Sequence, residues 1–310
     1  MLPFAIRPEE PFKPRKTPGP MNPHPPQIVA GLRVVRRRHY GRWLSVLVLL
    51  GIAMFLVDAF AHGQIDWNVV GQFMTAPVIL KGLVNTVTLT IYTMILGIVL
   101  GVIFAMMTMS SNPVVGAMAR FYIWFFRGTP LLLQLLLWFN LALVFPRLGI
   151  PGLFEYRTVD VITPFLASLL GLGIGQGAYT AEVVRGGILS IDPGQTEAAR
   201  AVGMTKITTL RRIVLPQALR VIIPPVGNEI IAMIKLTSVA SVIQYDEILH
   251  NAQTIYYANA KVIELLIVAT AWYLAVVSVF SIGQHFLEKY LARSQGRRNR
   301  PAADATALEA

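Results

Sequence analysis

Residues 83–109 read LVNTVTLTIYTMILGIVLGVIFAMMTM, a run without a charged side chain. At 1.5 Å per residue, a helix of that length crosses the ~30 Å hydrocarbon core of a bilayer. Five further runs are long enough to do the same, at 43–61 and at about 121–145, 162–185, 221–243 and 262–284. The expected fold is therefore all-α, a polytopic membrane helical bundle of about six transmembrane helices.

Composition agrees. The chain has 310 residues, 55% hydrophobic and only 14% charged, with a mean hydropathy of +0.58. Soluble domains average roughly 25% charged residues, so this surface suits lipid better than water. The net charge of +11 sits in short runs beside apolar stretches: Arg33, Arg36, Arg37, Arg38 and Arg42, then Arg293, Arg297, Arg298 and Arg300. No aromatic residues are interleaved for base stacking, so the charge reads as membrane topology and not as nucleic-acid binding. The chain has no cysteine, which excludes thiol catalysis, disulfides and thiolate metal sites. The histidines show no metal-ligand spacing, and no cofactor is implied.

Basic residues cluster before the first run, at Arg120, at Arg200, Lys206, Arg211 and Arg212, and after the last run. The alternate loops (62–82, 146–161 and 244–261) hold Lys81, Arg147, Arg157 and Lys261 against Asp66, Glu155, Asp160, Asp246 and Glu247. The positive-inside rule then puts both termini and the 186–220 loop in the cytoplasm. Residues 1–42 form a proline-rich, basic cytoplasmic tail expected to be disordered, since little in it can bury apolar surface. Residues 291–310 form a second cytoplasmic tail. The triplet Ala59-Phe60-Ala61 fits a signal-peptidase site. The run before it, however, is longer than the about 7–15 residues of a signal and starts far from the terminus, which favours a retained anchor at 43–61. Small-xxx-small pairs at Gly97/Gly101, Gly171/Gly175 and Gly173/Gly177 suit close helix crossings.

The 186–220 loop has the chemistry of two short helices. Asp192 is a cap with Pro193 at the first helical position, and Glu197 lies in an early turn. Gly203 supplies a stop that tolerates a left-handed backbone. Thr205 caps a second helix with Ile207, Leu210 and Ile213/Val214 on one face, and Pro216 is expected to end it. Small residues at Ala198 and Ala199 suit insertion into a partner's groove. An interfacial amphipathic loop is the alternative.

The order Glu197-Ala198-Ala199, Gly203, then Ile213-x-Leu215-Pro216 resembles the EAA loop of ABC importer permeases. The resemblance implies that Glu197, Ala198, Ala199, Gly203, Leu215 and Pro216 couple the chain to a separate ATPase subunit. Asn85-Thr86, Arg127-Gly-Thr-Pro-Leu-Leu-Leu-Gln134, Ala178-Tyr179, Ala181-Glu182, Arg185-Gly186-Gly187, Leu215-Pro216-Gln217-Ala218 and Lys235 with Thr237-Ser238 resemble motifs of one subfamily. These are the polar amino acid permeases of the histidine, glutamate, glutamine, arginine and opine type. The likeness covers about residues 80–290 and leaves the 43–61 helix outside the family's core. It implies a permease domain over 80–290 and a pore between two such subunits, identical or not. An ATPase for each and an extracytoplasmic solute-binding protein complete the assembly. Alternating access, driven by ATPase closure, would move polar amino acids inward. The sequence itself has no Gly-Lys-Ser/Thr phosphate loop, so this chain is not expected to be an enzyme, and hydrolysis falls to the partner.

Ionisable groups in spans cost roughly 2.5–3.5 kcal/mol and default to functional hypotheses. Helical spacing puts Lys235, Asn228 and Ser238 on one face with Thr237 alongside, where an ammonium could neutralise a solute carboxylate. Lys235 could instead pair with Glu229 or Glu182. Gln134, Asn140, Gln176 and Tyr179 suit either the solute pathway or interhelical hydrogen bonds. Arg127 and Arg185 suit snorkelling at helix ends. The resembled subfamily often has Asp or Asn directly after the lysine; Leu236 stands here, which argues against a basic cargo. Two rivals make different demands. A secondary transporter driven by an ion gradient calls for internal repeats with paired broken helices, and a membrane enzyme calls for clustered catalytic groups. Neither pattern is found.

Overall fold

The computed structural model describes residues 40–150 and 153–296. The expected tails, up to residue 39 and from 297 onward, lie outside the described residues. The described residues up to Gly63 and those from Gln64 fall into separate units. The first contributes α1 (Tyr40–His62), whose side chains from Gly41 onward are all exposed. A helix apolar on every side is matched to lipid, not to a water-facing surface.

The second unit begins with α2 (Trp67–Met74), capped by the Asp66 carboxylate, which accepts from the Asn68 and Val69 N–H groups. α3 (Pro77–Thr108) runs unbroken through the stretch that defined the fold. α4 (Pro113–Gly128) starts on an Asn112 cap. α5 (Leu131–Phe139) follows at 101° to α4. The expected single span at 121–145 is thus a bent pair. Pro130 has no N–H to continue the ladder and drives Thr129 out of the helical region, to φ −104° and ψ 141°.

A hairpin of β1 (Arg147–Ile150) and β2 (Phe154–Arg157), antiparallel with Arg147 opposite Arg157, leads through the one-turn α6 (Thr158–Val161) into α7 (Pro164–Leu189). Then come α8 (Pro193–Ala201), α9 (Lys206–Thr209) and α10 (Leu215–Leu236), the last extended by a 3-10 helix over Thr237–Ile243. α11 (Ile248–Asn259) and the 35-residue α12 (Val262–Gly296) complete the described chain. The buried Glu247 caps α11 through the Leu249 and His250 N–H groups and accepts from the Tyr273 hydroxyl of α12.

Among the described residues, Gly41–His62, Pro77–Thr108, Lys206–Ile243 and Val262–Leu291 are long and apolar enough to cross a membrane, and the bent α4–α5 pair makes a fifth if it is one span. The remaining expected span is α7. It is 26 residues long but glycine-rich, and it carries Gln176 and Glu182. Its position accounts for that composition. α7 packs against α3, α4, α5 and α10, and most of its side chains on those faces are buried. A helix surrounded by protein answers to its neighbours and needs no continuous apolar coat.

The glycine pairs mark those crossings. A Cβ on Gly97 would lie 2.7 Å from Gln176 Cγ, and one on Gly101 would lie 2.7 Å from Thr180 Cβ. From the other side, a Cβ on Gly177 would lie 2.8 Å from Leu100 Cβ, and one on Gly171 would lie 2.9 Å from Leu135 Cα. Backbones come this close only where no side chain intervenes, so α3 and α5 close on α7 through bare glycine.

Candidate functional site

The 186–220 segment folds largely as its caps dictate. The Asp192 carboxylate accepts from Gly194 N–H at 2.8 Å, with Pro193 opening α8. α8 stops at Gly203, which has φ +80°. Gly203 N–H donates to Arg200 O at 2.9 Å and Met204 N–H to Ala199 O at 3.0 Å, satisfying the last carbonyls of α8. Thr205 then caps α9 by accepting from Thr208 N–H at 3.3 Å.

Three expectations are corrected. Pro216 does not end the second helix. α9 passes through a π turn, Leu210–Val214, straight into α10, with Pro216 in its first turn. The wide π turn removes the ordinary i→i−4 bond that a proline would break, so the chain stays helical from Lys206 to Ile243. Ala198 and Ala199 do not share a face. Ala198 is exposed with Glu197, Val202 and Gly203, while Ala199 is 3% exposed, α8 packing on α9 and the π turn. Ile207 is 78% exposed, whereas Leu210 and Val214 join the core formed with α4 and α7. The exposed residues of this segment thus include Glu197, Ala198, Arg200, Ala201, Val202, Gly203, Lys206 and Ile207, and Leu215 and Pro216 are exposed at the start of α10.

A cavity of about 310 Å³ opens between α4, α5, α7 and α10. Of the expected pathway residues, the structure brings Gln134, Gln176 and Tyr179 to it, together with Glu229 and Leu236. Gln134 is 4% exposed. Its Nε2 donates to Phe126 O at 2.9 Å, to Thr129 O at 3.1 Å and to Thr129 Oγ1 at 2.8 Å, which pins the α4–α5 bend. Its Oε1 is buried with no partner among the described residues. Tyr179 is half-exposed, with the Arg127 guanidinium 5.3 Å from its ring centroid, a cation–π distance. Glu229 Oε2 accepts from Gln176 Nε2 at 2.9 Å and from Thr180 Oγ1 at 2.8 Å, tying α10 to α7.

Lys235, Asn228, Thr237 and Ser238 do not line this cavity. Asn228 and Lys235 lie on the exposed side of α10, two turns apart, and Lys235 has no ion-pair partner among the described residues. Neither alternative partner holds it: Glu229 is occupied by α7, and Glu182 pairs with Arg185 at 2.6 Å. Thr237 is fully buried, its hydroxyl donating to Ile234 O at 2.6 Å. Ser238 is half-buried and donates to Lys235 O at 2.7 Å. Thr237 therefore leaves the expected face, because residues two apart on a helix point in different directions. Asn140 closes its own helix end, Nδ2 donating to Leu136 O at 2.8 Å.

Glu229 was named from the sequence only as a partner for Lys235. The signal for a larger role was present, since an unpaired carboxylate inside a span is costly. Its companion Thr180 carried no such signal, and only the packing of α7 on α10 brings it to Glu229.

A largely helical membrane unit with an exposed, glycine-hinged helix pair, and a mostly apolar cavity that carries Gln134, Gln176, Tyr179 and Glu229, fits a membrane transport subunit. The family of binding-protein-dependent transport system inner membrane components matches residues 97–293, and the chain belongs to it. It is a multi-pass inner-membrane permease component of an ABC importer. An arginine transport system permease protein of Corynebacterium glutamicum is 38% identical over 263 residues, 84% of this chain and 83% of that protein. A nopaline transport system permease protein of Agrobacterium fabrum is 38% identical over 206 residues, 66% of this chain and 84% of that one. Among solved structures, an amino acid ABC transporter crystallised with histidines is similar at 34% identity and a TM-score of 0.64, covering 73% of this chain and 99% of that one.

Proposed function

We propose that this chain carries polar amino acids or opines into the cytoplasm by alternating access, with both termini and the α8–α9 segment on the cytoplasmic side. A separate ATPase docks on the outward face of α8, a second permease subunit completes the pore, and an extracytoplasmic binding protein delivers the solute. One observation carries this reading: a continuous helical run, Lys206–Ile243, joins the coupling segment to Asn228, Glu229 and Lys235. The run stays helical through Pro224 and Pro225, each of which removes one ladder hydrogen bond, so force applied at α8–α9 reaches the polar side chains of α10 without a slack linker between them. Tilting that run opens the path to one side of the membrane or the other. A secondary transporter has no use for such a lever. Glu197, Ala198, Val202 and Gly203 form the docking face. Leu215 and Pro216 lie at the root of the lever, and Ala199 is buried where α8 meets α9 and the π turn.

Gln134, Gln176, Tyr179 and Glu229 offer a solute two amides, a phenol and a carboxylate in one cavity. The acid absent at position 236 is replaced by Glu229, which shares the cavity with Leu236. A cationic cargo therefore fits the chemistry after all. Names of relatives that include an arginine permease and a nopaline permease agree with a nitrogen-rich solute. In proteoliposomes holding the complete importer, Glu229→Gln preserves the hydrogen bonds to α7 in shape while removing the charge. Uptake of a cationic amino acid is expected to fall about tenfold relative to a neutral one, the equivalent of ~1.4 kcal/mol. Equal effects on both solutes would remove Glu229 from cargo recognition.

A further inference from the structure

A second and larger cavity, about 610 Å³, lies behind α8 and shares no lining residue with the first cavity or with the proposed docking face. Its polar wall comes from Arg200 of α8, Lys206 and Thr209 of α9, and Ser110-Ser111 in the link after α3. Among the described residues neither cation has an ion-pair partner. The two acids of the same segment, Asp192 and Glu197, do not line the cavity, and Asp192 is engaged by Gly194 N–H. Thr209 is 3% exposed, and its hydroxyl is buried without a hydrogen-bond partner. Orphaned buried hydroxyls are rare in folded proteins and point to a group that is missing from the protein alone.

Two unpaired cations and spare hydroxyls describe an anion site. The apolar part of the lining shows which anion. Met106 and Met109 close α3, Leu189 closes α7, and all three line the cavity while remaining 42%, 41% and 59% exposed. A soluble anion gains nothing from thioether and isobutyl groups. An anionic phospholipid does, because its phosphate enters among the cations while its glycerol and acyl chains run along the ends of α3 and α7.

We propose that this cavity holds the phosphate of an anionic phospholipid, which braces α8 from the side opposite its exposed face. The lipid bridges α8 and α9 to the ends of α3 and α7, so it sets how firmly the coupling helix is held to the bundle. Binding itself is independent of the transport reading; only the consequence for coupling rests on it.

The test is retention of added lipid by the purified full-length chain, read by native mass spectrometry and therefore without any transport step. The probes are phosphatidylglycerol, phosphatidylcholine and inorganic phosphate. The wild type is expected to retain phosphatidylglycerol in preference to phosphatidylcholine. The double variant Arg200→Gln/Lys206→Gln is expected to retain about tenfold less of it. Thr209→Val keeps the shape of the side chain and removes the hydroxyl; it is expected to weaken retention severalfold, and it decides the matter if the double variant does not fold. Three results overturn the proposal: equal retention of phosphatidylglycerol by wild type and variants, equal retention of the two lipids, or displacement of phosphatidylglycerol by inorganic phosphate. The last would make the cavity a site for a soluble anion.

Discussion

Replacing Lys235 with alanine is expected to abolish uptake while leaving the protein folded and inserted. The balance of free energies around this side chain leads to that result. An ammonium within a span costs roughly 2.5–3.5 kcal/mol. Its place at the end of α10 returns only about 0.3–1 kcal/mol from the helix dipole. No carboxylate of the described residues pairs with it. The remaining deficit is offset by something outside the chain, which in the proposed mechanism is the water-filled path and the carboxylate of the passing solute. Where the bound solute displaces that water, losing the resulting ion pair costs about 2–5 kcal/mol, so transport at limiting solute should fall thirtyfold or more. Side-chain truncation at an exposed position leaves the packing of α10 on α7 and α12 in place, so monodisperse protein should still be recovered from membranes. Uptake at wild-type rates by Lys235→Ala would sink the assignment. Arginine at the same position should restore part of the loss if charge alone is required.

The second large effect belongs to Ala198→Arg. Ala198 is on the exposed face of α8, and arginine is nearly as good a helix former as alanine, so the helix and its caps should survive. A guanidinium and its stem at the centre of a small-residue docking face would hold the partner off by several ångströms. Contacts at the centre of an interface dominate its affinity. Co-purification of the ATPase is expected to fall at least a hundredfold in apparent affinity, about 2.7 kcal/mol, while the lipid-embedded bundle remains intact. Wild-type recovery of the ATPase with Ala198→Arg would mean that docking uses another surface.

Much of this architecture could be read from the sequence because the relevant rules are local. Asp192, Gly203 and Thr205 act within one turn of themselves, and each does in space what its spacing implies. The glycine pairs of α3 and α7 were equally legible, since a missing Cβ has few other uses in a long apolar helix. What escaped depends on neighbours. The 221–243 span starts far earlier, at Lys206, because Arg211, Arg212 and Arg220 lower the hydropathy without ending the helical run. Hydropathy reports contact with lipid, and a helix leaving the bilayer is invisible to it. α7 shows the same limit from inside the bundle, where protein neighbours permit glycine, glutamine and glutamate. The bend at Thr129-Pro130 was written in the proline but was read within a longer apolar run. Ala198 and Ala199 differ in no property that assigns one outward and the other inward; only the packing of α8 on α9 and the π turn does so.

The candidate site divides in the same way. Gln134 and Tyr179 were legible as polar groups in spans, and they do meet at one cavity. The pairing of Glu229 with Gln176 and Thr180 depends on how α7 and α10 cross, which no spacing within either helix records.

The central claim is that α8 pushes against a motor in the cytoplasm, and the chain is convenient for testing it because it contains no cysteine. Ala198→Cys places a single thiol on the proposed docking face. A membrane-impermeant maleimide should label it in inside-out vesicles stripped of the ATPase and leave it unlabelled in intact spheroplasts, with re-added ATPase restoring protection. Labelling in intact spheroplasts would put this helix on the outer side, where no ATPase could reach it.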